Sequence, residues 1–256
     1  MRSAERRHPS DTEPTAAWDH LTCAIHACVR CPRLHEFRER VGVEKVRRHA
    51  QEEYWSRPVA GFGDHGARLI VIGLAPGAHG ANRTGRVFTG DASGEWLYGT
   101  LHALGYASQP LARHRDDGLT LQDAYIANIV RCVPPDNRPT GAEVTACAPY
   151  LATEMSLLKN ARVYVALGGL AFAQTLRYMQ AQGLITADRL KFGHGLEHPL
   201  RDGRQLLASY HPSQQNTRTG RLTMPMWEAV FARAQALTYT SAPYVGTSST
   251  DDSQKS

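Results

Sequence analysis

An α/β fold with a parallel sheet covered on both faces is what this sequence predicts, on three observations. Four short apolar runs of strand character stand at 68–74, 124–130, 162–167 and 205–210. They alternate with stretches of helical periodicity near 17–40, 94–105, 141–159, 169–182 and 225–237. Such alternation builds parallel sheets whose strands are buried on both sides. Two of the runs, 68–74 and 205–210, end in polar loops, and open α/β sheets place their ligand sites at such strand ends.

The first helical stretch carries Cys23, Cys28 and Cys31, and Cys28-Val-Arg-Cys31 is followed by proline. Cys132 and Cys147 lie far downstream. A C-x2-C pair with two further cysteines suits a four-thiolate site, either a [4Fe–4S] cluster or structural zinc. Small buried apolar residues are the plainer reading of the same cysteines. Cys23 is expected to be a packed bystander, since the C-x2-C pair makes the simpler chelate.

After the strand at 68–74 the chain reads GLAPGAHGANRTGRVFTGDASGEWLY from Gly73 to Tyr98. Few buried cores need such a mixture of glycine, asparagine, arginine and threonine, so this loop is a candidate site. Asp91 precedes a helix and reads as its N-terminal cap. Gly168-Gly169 allows a tight turn and close packing between a strand and its helix. The strand at 205–210 runs into His211-Pro-Ser-Gln-Gln-Asn-Thr-Arg-Thr-Gly-Arg-Leu222, a second loop of the same character expected at the same sheet edge.

The 256 residues suffice for one α/β domain at 16–239, with polar tails at 1–15 and 240–256 that are expected to be disordered. No apolar stretch approaches the roughly 18 residues of a membrane helix, and the N-terminus lacks the apolar core of a secretory signal. A cytoplasmic, monomeric protein is the expectation. The net charge of +5 biases the surface mildly towards anionic partners.

Taken together, GLAPGAHGANRTGRVFTGD, the strand end IANIVRC, HPSQQNTRTGRL and the cysteine layout ACVRCPRL … RCVPPDNRPTGAEVTACAPYL resemble the type B, or family 5, uracil-DNA glycosylases, over roughly residues 16–238. The resemblance implies a three-layer α/β/α sandwich around a four-stranded parallel sheet. It also implies a structural [4Fe–4S] cluster on Cys28, Cys31, Cys132 and Cys147, and DNA, single- or double-stranded, as the partner.

Removing a base from DNA requires flipping it out of the stack and stabilising charge on the departing ring. By resemblance, His211 lies against the base's O2. Asn128 can present an amide N–H and a carbonyl to the pyrimidine edge, and Phe88 is expected to stack on the flipped base. Arg83, Thr84, Arg86, Ser213, Arg218 and Arg221 are candidate phosphate contacts, and Leu222 a candidate wedge into the vacated stack.

The turn Ala75-Pro76-Gly77-Ala78 lacks the polar water-activating residue that many relatives carry there. Asn82, His79 or backbone groups are then left to position water. The small Ala75, Gly77 and Ala78 leave room in the pocket, which suits the family's tolerance for deaminated purines. Two other readings stay open at this point: a type A, family 4 uracil-specific enzyme, and a non-catalytic protein that binds deaminated DNA.

Overall fold

The computed structural model describes residues 12–185 and 190–239. The two expected disordered tails fall outside those residues except at their inner edge, where Thr12 already opens a helix.

Helix α1 (Thr12–His26) is followed by a five-residue break and then α2 (Pro32–Glu44). The expected single helix over 17–40 is therefore two. Pro32 cannot continue a helix from behind but starts one well, because its missing N–H falls where no intrahelical acceptor exists. The break leaves Cys28 outside both helices and Cys31 as the residue that precedes α2.

The sheet contains β1 (Phe62–Gly63), β2 (Leu69–Gly73), β3 (Ala124–Asn128), β4 (Val163–Leu167), β5 (Glu197–Pro199) and β6 (Gln205–Ser209). Their order is β1-β3-β2-β4-β6-β5. The four central strands are parallel, as expected, while β1 pairs antiparallel with β3 and β5 antiparallel with β6. The sheet is thus mixed and six-stranded, with short antiparallel strands at both edges. Two- and three-residue strands carry no alternation that a sequence reading can detect.

Alternation along the strands divides the interior into two cores. Leu69, Val71, Ile126, Val163, Val165 and Leu207 face one side, where α4 (Ala92–Ala103) and α8 (Met224–Tyr239) pack. Ile70, Ile72, Tyr125, Tyr164 and Leu206 face the other, covered by α1, α5 (Gly141–Leu157) and α6 (Gly169–Ala181). Successive side chains of a strand point to opposite faces, so the β-branched runs satisfy both layers at once.

Helix starts are fastened by side chains. Thr140 and Glu143 form a reciprocal capping box on α5, and Asp91 caps α4 by accepting from the Gly94 amide at 3.0 Å. Two further short helices, α3 (Ala81–Thr84) and α7 (Gln214–Arg218), sit in the two polar loops. The chain leaves β2 for β3 on one side and leaves β4 for β6 on the other, so the crevice between these connections opens at the carboxyl edge of the sheet.

Candidate active site

At that edge lies a cavity of about 670 Å³. It brings together Ala75, Gly77 and His79 from the loop after β2, Phe88 from before α4, and His211 and Ser213 from the loop after β6. The two polar loops therefore form one site, as the sequence predicts. Asp91, Arg48, Asn137, Arg138, Gln214 and Gln215 also line it.

Phe88 holds φ at 51°, a conformation costly for a bulky residue, and its ring stacks on His211 with centroids 5.8 Å apart. Gly94 makes this possible. A Cβ there would fall 1.8 Å from the Phe88 carbonyl oxygen, so only glycine lets α4 press against that backbone. Burial pushes the His211 imidazole down to about 4, which keeps it neutral at physiological pH. Its main chain is held by Asn216, whose Nδ2 donates to the His211 carbonyl at 2.8 Å.

Asn128 ends β3 in register with Gly73 of β2 and is buried. Its Oδ1 has no hydrogen-bond partner among the described residues. A Cβ on Gly73 would lie 2.4 Å from that oxygen and 2.8 Å from the Phe88 ring, so Gly73 keeps the space between them open. An unpaired buried amide oxygen is costly, and a ligand N–H would relieve it.

Asp91 has two roles. Besides capping α4, its Oδ2 reaches the loop opposite, 2.9 Å from where a Gly77 Cβ would stand and 2.0 Å from a Gly80 Cβ. Burial raises its carboxyl above the usual range, while the Gly94 and Ser93 amides hold it back. The reading of Asp91 as a cap holds, and the carboxylate also lines the cavity. His79 is paired with Tyr54, Oη to Nδ1 at 3.1 Å, and burial with the nearby charges of Arg48, His49 and Arg83 lowers its pKa.

Several expected site residues lie elsewhere. Asn82 is fully buried outside the cavity, and its Nδ2 donates to the Arg38 carbonyl at 3.2 Å, so it is not placed to hold water there. Arg83 is buried against Glu52 and donates to the His79 and Gly90 carbonyls. Arg86 is buried in an ion pair with Asp117 at 2.8 Å and also donates to Thr89 and the Arg115 carbonyl. Thr84 spends its hydroxyl on the Arg86 and Thr89 carbonyls. These side chains brace the loop, and the buried Arg83 and Arg86 are not open to phosphate.

Leu222, at 1% exposure, belongs to the core beside Trp227 and is no wedge. Ser213 lines the cavity, but its hydroxyl caps α7. Arg218 and Arg221 are exposed as expected, and Arg221 lies over the Tyr210 ring at 4.6 Å. Arg48, Tyr54 and Asn137 were missed because the segments 45–57 and 133–139 have no periodicity to read.

Apart from the cavity, Cys28, Cys31, Cys132 and Cys147 line one small recess, with Leu34, Arg38, Arg131 and Tyr150 around them. Cys23 is exposed and does not line it, so the packed position expected for this residue is not found. Arg38 Nη1 donates to Cys132 Sγ and the Arg131 amide to Cys147 Sγ, each at 3.3 Å. Burial raises the thiols of Cys31 and Cys132, and pushes Cys147 up to about 11. Among the described residues no three His, Cys, Asp or Glu side chains converge closely enough to hold a single metal ion.

Residues 60–235 match the family described as the Uracil DNA glycosylase superfamily. The chain is 51% identical over 213 residues to the Type-5 uracil-DNA glycosylase of Thermus thermophilus, covering 83% of this chain and 94% of the relative. It is 47% identical over 218 residues to the Type-5 uracil-DNA glycosylase of Mycobacterium bovis, covering 85% and 80%. Similarity to the Type-4 uracil-DNA glycosylase of Pyrobaculum aerophilum is lower, 33% over 145 residues, covering 56% and 57%.

Proposed function

The chain belongs to the uracil DNA glycosylase superfamily, and on that premise we propose that it is a base-excision repair enzyme, a monofunctional DNA glycosylase hydrolysing the N-glycosidic bond of uracil in DNA. The observation that carries this reading is the open cavity in which a neutral His211, the Phe88 ring and Asp91 meet, with the unpaired Asn128 amide oxygen set beside Phe88. The fuller type-5 similarity favours that branch over the type A alternative.

Each group has work in such a reaction. Phe88 gives the extruded base an aromatic surface. Asn128 Oδ1 accepts the N3–H of uracil, which satisfies the orphan oxygen. As the glycosidic bond breaks, the sugar takes on oxocarbenium character and the base takes on negative charge. His211 donates an uncharged N–H to that charge, and its interaction strengthens as the charge grows. Asp91 is the carboxylate on the wall nearest the apolar turn, where it orients water towards the sugar. It replaces the acid missing from Ala75–Ala78 and the role expected of Asn82.

Phosphate contact passes from the buried Arg83 and Arg86 to exposed arginines, Arg138 on the cavity wall and Arg218 and Arg221 in the loop after β6. Such contacts supply affinity without sequence choice. The walls at Ala75, Gly77 and Ala78 leave space beyond a pyrimidine, so hypoxanthine and xanthine are included as substrates.

The recess gathers four soft sulfur donors, those of Cys132 and Cys147 buried and backed by two N–H groups, which suits a [4Fe–4S] cluster on Cys28, Cys31, Cys132 and Cys147. Bound there, the cluster supplies structure and no reacting atom. The test of the activity is a panel of duplexes bearing uracil, hypoxanthine, xanthine or ethenocytosine, assayed for free base. Release of uracil is expected, and binding without release from any of them would overturn the assignment.

A further inference from the structure

We propose that Arg38 is a positioning residue that fastens the wall of the base cavity to the cysteine quartet, an inference that rests on the iron–sulfur reading above. Arg38 is a long cationic side chain in a buried place, at 4% exposure, and no carboxylate pairs with it among the described residues. Its guanidinium is spent on four neighbours, two of them cysteines of the quartet. Nη1 donates to Cys132 Sγ and to the Cys28 carbonyl, each at 3.3 Å, and Nη2 meets His35 Nδ1 at 2.9 Å. Nε donates to the Ser56 carbonyl at 3.2 Å.

From the same residue a second set of bonds leads to the cavity. The Arg38 carbonyl accepts from Asn82 Nδ2, and the Ser56 amide donates to the Asn82 carbonyl at 3.0 Å. The Asn82 amide in turn donates to the carbonyl of Gly77, which lines the cavity, also at 3.0 Å. Asn82 is thus gripped through both its main chain and its side chain by groups that Arg38 holds. The Nδ2 group carries this link, while the buried Oδ1 of Asn82 has no partner among the described residues. When Cys132 is a ligand its sulfur carries negative charge, and an N–H donated to such a sulfur is charge-assisted and about twice as strong as a neutral one. Ligation of the quartet therefore tightens the chain of bonds as far as Gly77.

Amide hydrogen exchange of residues 77–84 in the iron-loaded full chain tests this, with Arg38→Met and Asn82→Ala beside the unsubstituted protein. Both variants are expected to keep about four irons per chain. Both should lose protection about tenfold over 77–84, the size set by one or two lost hydrogen bonds, with amides of β4 unchanged. Arg38→Met should also alter the visible absorption of the cluster, because its N–H bond to sulfur is gone, and Asn82→Ala should leave that absorption as it was. Unchanged protection over 77–84 in Asn82→Ala at full iron content would overturn the proposal, even if Arg38→Met failed to fold. Unsubstituted protein that purifies without iron would fail the cluster reading instead, and the coupling with it.

Discussion

The imidazole of His211 lies stacked on the ring of Phe88, their planes 29° from parallel, and burial there lowers its pKa to about 4. The unfolded chain takes up this proton near the ordinary value of 6.5, whereas the folded chain resists it until about pH 4. Between those values the unfolded state binds more protons, so the folded state loses stability as pH falls. Tm should drop from pH 7 to pH 4.5, and His211→Gln should drop less. The lowered pKa values of His26, His65 and His79 act in the same direction. An equal drop in the variant would remove His211 as a cause.

Asp91→Asn separates the two roles of Asp91. Asparagine caps a helix about as well as aspartate, so Tm should stay close to that of the unsubstituted protein. The variant lacks the carboxylate next to Gly77 and Gly80, so single-turnover base release should fall by at least tenfold. A normal rate with a lowered Tm would leave Asp91 as a cap only.

The arginines divide by burial. Arg218→Ala and Arg221→Ala should each weaken binding to any duplex and reduce the salt slope by about one unit. Arg86→Ala strands Asp117 without its partner in a buried pair, and should cost roughly 3–5 kcal/mol of stability in denaturant titrations. Its salt slope should not change. A changed slope with intact stability would return Arg86 to the DNA surface.

Leu222→Ala should behave as a core truncation, losing about 2–5 kcal/mol of stability, measured by urea unfolding. As a wedge it would have left stability alone and slowed base extrusion.

Purified protein should be brown, with about four irons per chain. Loss of Cys28, Cys31, Cys132 or Cys147 by substitution with alanine should abolish the colour, and Cys23→Ala should not. Colourless protein with stoichiometric zinc would contradict the cluster.

Much of this was legible from residue order. The four parallel strands are continuous apolar runs, and the polar loops at 73–91 and 211–222 announce a site at the strand ends, although part of their polar content proves to be buried bracing. The edge strands β1 and β5 were not legible, since their pairing depends on β3 and β6 and not on a pattern of their own. Leu222 was misplaced because its position at the end of a polar loop was read as surface, and Arg83 and Arg86 for another reason. Residue type predicts exposure only on average, and here carboxylates from distant segments, Glu52 and Asp117, allowed two arginines to be buried. Asn82 reads as a polar site residue in the motif, but its partner Arg38 lies forty-four positions upstream, beyond any local pattern.

The central claim is that a neutral His211 stabilises the base as it departs. Single-turnover release of uracil from a duplex by His211→Ala, measured alongside its DNA affinity, tests this most directly. The rate should fall on the order of 10²–10³, as losses of donors to developing charge do, while affinity for the duplex changes little. A variant that binds poorly but releases base at the normal single-turnover rate would contradict the account.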